Sequence, residues 1–308
     1  MIPFISVLSR LAACLLFSPF LLGVIGKTKA FFAGRKGPPL LQPYYDILKL
    51  IQKGSVYSVT TTWIFRAAPL IFFATTLIAS FLIPFGGLKA PVQFWGDALL
   101  FTYLFGLGRF FIILAAMDTG SSFEGMGASR EAIFSCLSEI VLFLNFAALA
   151  VLSKSFSLSQ MIGESWWASW TVSGPSLILV GASYFMILLV ENSRIPIDDP
   201  ATHLELTMIH EVMVLDHSGP DLAFILHGAA IKLFVQGSFF VTLLIPFQSH
   251  NRIIDATVFL AAMIGLAVII GIVESVMARL RLNRIPSFIT GAFVLALFGL
   301  IIAIMRVL

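Results

Sequence analysis

The sequence predicts an all-α integral membrane protein with about eight transmembrane helices plus an amphipathic helix at the membrane interface. Three observations carry this. Hydrophobic residues make up 59% of the 308, and the mean hydropathy is +0.99, far above what a soluble domain carries. The apolar residues form continuous runs, most of them close to the roughly 20 residues a helix needs to cross a hydrocarbon core of ~30 Å, without the alternation of β-barrel strands. Only 11% of residues are charged, and most of these fall between the runs.

Read in order, the spans lie at about 2–25, 67–85, 98–117, 132–152, 175–192, 226–247, 254–274 and 286–306. The first lacks a basic leader and a small-residue cleavage site, so it is expected to remain as a helix. Lys27, Lys29, Arg35, Lys36, Lys49, Lys53, Arg66, Arg130, Arg194, Arg279, Arg281 and Arg284 fall on one side, against Lys89, Lys154, Arg252 and Arg306 on the other. Basic residues favour the cytoplasmic side, which puts both termini on the outer side. The net charge of +3 then reflects topology and not nucleic-acid binding. Residues 1–308 read as one polytopic membrane domain.

Each long cytoplasmic loop has its own chemistry. In the first, Gly34-Arg35-Lys36-Gly37-Pro38-Pro39 blocks a continuous helix. Beyond Pro43, apolar Tyr44, Ile47, Leu48 and Ile51 recur at helical spacing, with Asp46, Lys49, Gln52 and Lys53 on other faces. This is the interfacial helix. It serves either as a lipid anchor or, with Arg35 on its rigid turn, as a floor on which a peripheral subunit docks. The second loop, 117–135, carries Asp118, Glu124, Arg130 and Glu131 among small residues, with Arg130 and Glu131 expected to open the fourth span as an ordinary headgroup charge pair.

The third loop, 191–221, holds Glu191, Asp198, Asp199, Glu205, Glu211 and Asp216 together with His203, His210 and His217. Such a density of titratable groups against a membrane marks a place for proton or charge chemistry. Glu139 lies about two turns inside the fourth span, where a carboxylate needs a partner or water. Arg109 and Lys232 are candidate partners. With Glu191 and Glu274 at the ends of their spans, Glu139 and Lys232 suggest a hydrated polar track entering from the cytoplasm.

Several chemistries find no support. Cys14 and Cys136 have no neighbouring thiol, so no cysteine framework for an iron–sulfur cluster or disulfide set is present. No P-loop, dinucleotide glycine pattern or internal repeat stands out. His210-Glu211 begins like a zinc-protease helix, but Val214 occupies the position of the second histidine, so no metal is expected.

The succession RKGPPLLQPYYDILKL, then GASRE followed by Glu139, then ENSRIPIDDPATHLEL with Glu205 and Glu211, then ARLRLNRIP, resembles the NuoH family of complex I membrane proteins. Within that family it looks most like the membrane subunit of group 4 membrane-bound NiFe hydrogenases, the formate hydrogenlyase and hydrogenase-4 type. The resemblance spans nearly the whole chain. It implies a non-catalytic subunit of a prokaryotic inner membrane that anchors a peripheral redox arm and couples electron transfer to proton or sodium translocation. Glu191, Asp198, Glu205, Glu211 and Asp216 would be the loop acids of the coupling region. Glu139 would continue it, Arg130 would be its basic partner, and Gly37 and Pro38 would form the turn beneath the arm.

The same resemblance places iron–sulfur clusters and the NiFe centre in partner subunits and none in this chain. It also implies antiporter-like membrane neighbours. Here Pro39-Leu40-Leu41-Gln42-Pro43 directly follows the turn, where quinone-reducing members continue with Asn and a second Arg-Val-Gly-Pro stretch. That weakens the case for a quinone. A quinone-site dehydrogenase subunit and an independent ion transporter are the alternatives.

Overall fold

The computed structural model describes residues 4–84, 86, 90–162, 166–199, 208–245, 249 and 251–307. Among them are eleven α-helices: α1 (Phe4–Phe32), α2 (Gln42–Ile51), α3 (Trp63–Ser80), α4 (Asp97–Asp118), α5 (Ser122–Ser153), α6 (Leu158–Met161), α7 (Trp166–Glu191), α8 (His210–Met213), α9 (Gly219–Leu244), α10 (Arg252–Val276) and α11 (Ile285–Val307). Eight are long and apolar enough to cross a membrane, which makes this a multi-pass membrane protein.

The spans match the hydropathy reading in number and differ from it at their ends. α1 continues to Phe32, so Lys27 and Lys29 are helical. α5 starts at Ser122, so the GMGASRE segment forms its first turns and the connection from α4 is short. α9 starts at Gly219. In each case the helix runs past the apolar stretch into polar residues. α7 is interrupted at Ser173, next to Gly174-Pro175, so its membrane-crossing part is Ser173–Glu191.

α9 is the central pillar, with α1 and α10, α3 and α4, and α5, α7 and α11 grouped around it. Lipid is as apolar as the helix surfaces, so association depends on close packing and buried polar contacts more than on the hydrophobic effect. Glycines supply the closeness. A Cβ on Gly108 of α4 would stand 2.6 Å from Thr75 Oγ1 and 3.1 Å from Phe72, and one on Gly228 of α9 would stand 2.8 Å from the same Phe72 ring. α3 is thereby clasped from two sides.

Polar side chains fasten the ends. Asp118 at the end of α4 accepts the backbone N–H of Thr62 at 2.6 Å and its hydroxyl at 3.0 Å, while Thr62 Oγ1 caps α3 by accepting from Ile64 N–H. Buried Asp97 at the start of α4 accepts from Ser157 Oγ at 2.8 Å and from Leu158 N–H at 2.6 Å, capping α6. Pro19 cannot donate to Leu15, the carbonyl one turn before it. That carbonyl lies 3.1 Å from His227 Nε2 on α9, and Tyr44 of α2 donates to the neighbouring Leu16 carbonyl.

α2 is amphipathic as expected. Ile47 is buried, whereas Tyr45, Leu48 and Ile51 are exposed.

Candidate functional site

Side chains from within α4, α5 and α9, together with the last residue of α7, bring five ionisable groups together. Glu191, the last residue of α7, places Oε2 at 2.5 Å from Arg109 Nη2 of α4 and 3.0 Å from Lys232 Nζ of α9. Its Oε1 accepts the Ser138 hydroxyl of α5 at 2.6 Å, and its backbone carbonyl accepts Lys232 Nζ at 2.6 Å. Arg109 also lies 3.7 Å from Glu131 and 3.8 Å from Glu139, both on α5. Two cations thus face three carboxylates. Arg109, Glu191 and Lys232 are all buried. Placed in low dielectric, ion pairs must be well coordinated to offset desolvation, and a partner lost from such a set leaves a strongly unfavourable charge.

A cavity of about 100 Å³ opens beside this cluster, lined by Arg109, Glu131, Glu191, Lys232, His210 and Glu211 among others. One water needs roughly 10–15 Å³, so several fit. On the far side of Glu191 a pocket of about 10 Å³, about one water's worth, touches Ser135 and Ser138.

A second group of ion pairs flanks the cavity. Glu274 of α10 lies 3.0 Å from Lys29 of α1 and 3.4 Å from Arg194. Lys29 also lies 3.5 Å from Asp199. Asp198 is fully used: Oδ1 accepts from Arg279 at 2.6 Å and Oδ2 accepts the backbone N–H groups of Ile209 and His210 at 3.0 and 2.9 Å. These bonds fold the 191–199 segment back under α8. Arg130 donates to the Met208 carbonyl at 2.9 Å and so fixes the same region to α5.

The structure therefore unites Glu139, Glu191 and Lys232, places Glu211 on their cavity, and makes Asp198, Arg130 and Glu274 the clamps around it. Asp216 is exposed, and it is its backbone N–H that bonds, to the buried Glu124 at 3.0 Å. Glu205 and His203 lie outside the described residues. Arg35, Gly37, Pro38 and Asp46 are each exposed and make no ion pair with this cluster among the described residues; Gly37 has φ +63°, the left-handed conformation suited to glycine, and Asp46 accepts from Gln42 at 2.7 Å.

Of the two candidate partners of Glu139, Arg109 reaches it at 3.8 Å but lies nearer to Glu191 at 2.5 Å, and Lys232 pairs with Glu191 at 3.0 Å. Two further participants differ from the sequence expectation. Glu131 turns to Arg109 and not to Arg130, because adjacent residues on a helix do not face each other. Ser138 carries no signal in the sequence beyond its position one residue before Glu139. Among the described residues no group of three or more His, Cys, Asp and Glu side chains could hold a metal.

A charged cluster buried within an all-helical bundle of membrane-length helices defines a class: a polytopic membrane protein that holds ionisable groups below its surface. Comparison with known proteins makes the assignment specific. The NADH dehydrogenase family model matches residues 5–305, and the chain belongs to that family. It is 29% identical to formate hydrogenlyase subunit 4 of Escherichia coli over 282 residues, 90% of this chain and 91% of that one. It is 29% identical to hydrogenase-4 component C of the same organism over 280 residues, 89% and 87% of the two chains. An NADH-quinone oxidoreductase subunit of Syntrophotalea carbinolica is 25% identical over 265 residues, 81% of this chain and 77% of its own. The fold matches a chain of the membrane-bound sulfane sulfur reductase, an archaeal respiratory membrane complex, with a TM-score of 0.84, 22% identity, and coverage of 97% and 99%.

Proposed function

We propose that this chain is the non-catalytic membrane subunit of a multi-subunit respiratory redox complex of the hydrogenase-4 or formate hydrogenlyase kind, in a prokaryotic inner membrane. It anchors the peripheral redox arm and couples electron transfer to the movement of protons or sodium ions. The charged face lies toward the cytoplasm and both termini outside. The supporting observation is the Arg109–Glu191–Lys232 cluster, buried yet bordered by a cavity with room for water.

The coupling is electrostatic. A unit charge arriving ~10 Å away, as reduction of a partner subunit's iron–sulfur cluster would supply, would change the potential at these groups by on the order of 1.5 kcal/mol at an effective dielectric of 20, about one pKa unit. That is enough to redistribute a proton among paired carboxylates. Arg35, Gly37, Pro38 and Asp46 would carry the peripheral arm, whose subunits hold the iron–sulfur clusters and the NiFe centre.

Glu139 supports the presence of antiporter-like membrane subunits alongside. It sits within α5 with 31% of its side chain exposed, beside exposed Cys136 and Ile140. A carboxylate facing lipid is costly, and a covering membrane subunit removes that cost. A quinone is less well supported, since a cavity of about 100 Å³ is small beside the ~300–1,000 Å³ of ligand pockets.

Mass spectrometry of the gently solubilised complex, with a density map of the same particle, tests this reading. A hydrogenase-like large subunit, a small subunit and an iron–sulfur subunit seated over residues 35–46 are expected. A bound quinone would move the assignment to a quinone-reducing dehydrogenase. Purification of the chain alone, stable and transport-competent, would overturn both.

A further inference from the structure

Two buried oxygens lie deeper in the bundle than the Glu191 end of α7, and neither has a hydrogen-bond partner among the described residues. They are the phenol oxygen of Tyr184 and the amide oxygen of Asn145, in residues that are 2% and 0% exposed. Tyr184 precedes Glu191 by seven residues on α7, and Asn145 follows Ser138 by seven on α5. Seven residues are nearly two whole turns, so each stands on the same face as its counterpart and about 10 Å further along the helix. α5 and α7 are tied together at both levels: Ser138 to Glu191 at 2.6 Å, and Asn145 Nδ2 to Ser183 Oγ at 3.0 Å.

The surroundings are otherwise well satisfied. Asn145 Nδ2 also donates to the Val141 carbonyl at 2.9 Å, Ser183 to Ala292 O at 2.8 Å and Ser176 to Gly299 O at 2.7 Å. Phe239 packs against Tyr184 with ring centroids 5.1 Å apart. Two orphaned oxygens, close in sequence to groups that are fully bonded, call for a small polar species, and water is the usual one.

We propose that ordered water joins Tyr184 Oη and Asn145 Oδ1 to the Ser138–Glu191 pair, forming an inner proton path between α5 and α7. The inference rests on the coupling role given to the cluster. Seven residues of helix rise set the two levels ~10 Å apart along the axis, a span that about three waters would bridge at the ~2.8 Å spacing of O–H···O bonds. Tyr184 is the relay: its oxygen accepts a proton from one water as its own O–H proton passes to the next, so one proton moves and the phenol is unchanged. Asn145 is a positioning residue that accepts a hydrogen bond and orients the file.

The test uses the intact complex. A high-resolution map should show water peaks within hydrogen-bonding distance of both oxygens. In proteoliposomes carrying a pH dye, Tyr184→Phe and Asn145→Leu should keep electron transfer from a strong artificial donor and lower proton movement several-fold. The solvent deuterium isotope effect on that movement should change as well, which a merely structural role would not cause. Ser176→Ala serves as the control and should pump normally. A dry column in the map, or normal pumping by both variants, overturns the inner path. Glu191→Gln separates the two ideas: if it loses coupling while Tyr184→Phe and Asn145→Leu do not, only the inner path fails, and if it pumps normally the coupling role fails with it.

Discussion

Replacing Glu191 with Gln keeps the side chain's shape and removes the charge held between Arg109 at 2.5 Å and Lys232 at 3.0 Å. By Coulomb's law at an effective dielectric of 20, a pair ~3 Å apart is worth about 5.5 kcal/mol. Breaking a buried pair on one side costs about 3–5 kcal/mol. The Ser138 hydroxyl keeps an amide oxygen to donate to, and Lys232 keeps the Glu191 backbone carbonyl, which sets the expected loss near the lower figure, about 3 kcal/mol. Lys232→Met removes the other member. If the two interact directly, the double variant should be more stable than the sum of the single losses allows, by about 2–3 kcal/mol. Unfolding of the purified protein in mixed micelles of rising SDS fraction measures all four corners of the cycle. Losses that add within about 0.5 kcal/mol would refute the idea that these groups act as one cluster.

Three further outcomes follow from groups nearer the surface. His217 is stacked on Phe65 at 3.9 Å, neither ring nitrogen has a partner among the described residues, and burial pushes its pKa down to about 4. The unfolded chain then binds the proton more readily, so stability is whole above about pH 6.5 and falls by roughly 3 kcal/mol in total as the pH drops to about 4; His217→Phe should flatten the melting temperature across that window. Asp198→Asn weakens the bond to Arg279 and should cost about 2 kcal/mol, seen as faster amide hydrogen exchange at Ile209 and His210. Gly127→Ala sets a Cβ at 2.2 Å from Val212 Cγ1 and 2.9 Å from Ile209 O and should destabilise by about 1–3 kcal/mol. Gly125→Ala on the same helix meets nothing within 4 Å and should be neutral or stabilising by thermal melting.

The number of spans was legible because each crossing needs one long apolar run, and hydropathy measures that directly. The ends were not, because hydropathy stops where polar residues begin and the helices do not. Ser122–Glu131 and Gly219–Leu226 are helical although they carry Glu124, Arg130, Asp221 and several small residues. The site was legible as a collection of candidates. Glu139, Glu191 and Lys232 stand out because charges are scarce in such spans. Which charge meets which depends on helix packing angles, and spacing along the sequence says nothing of distances between one helix and another. Hence sequence position does not reveal that the carboxylate nearest to Arg109 is Glu191. Tyr184 and Asn145 gave no warning, since an aromatic and an amide inside a span usually find a partner, and only coordinates show that these two oxygens do not.

The coupling role of the buried cluster is measured most directly by one quantity, the ions moved per electron pair by the intact complex in sealed proteoliposomes. With Glu191→Gln, electron transfer between artificial partners should persist while that ratio falls toward zero. A ratio equal to the wild type's, in a complex of normal composition, would contradict the coupling role assigned to the buried cluster.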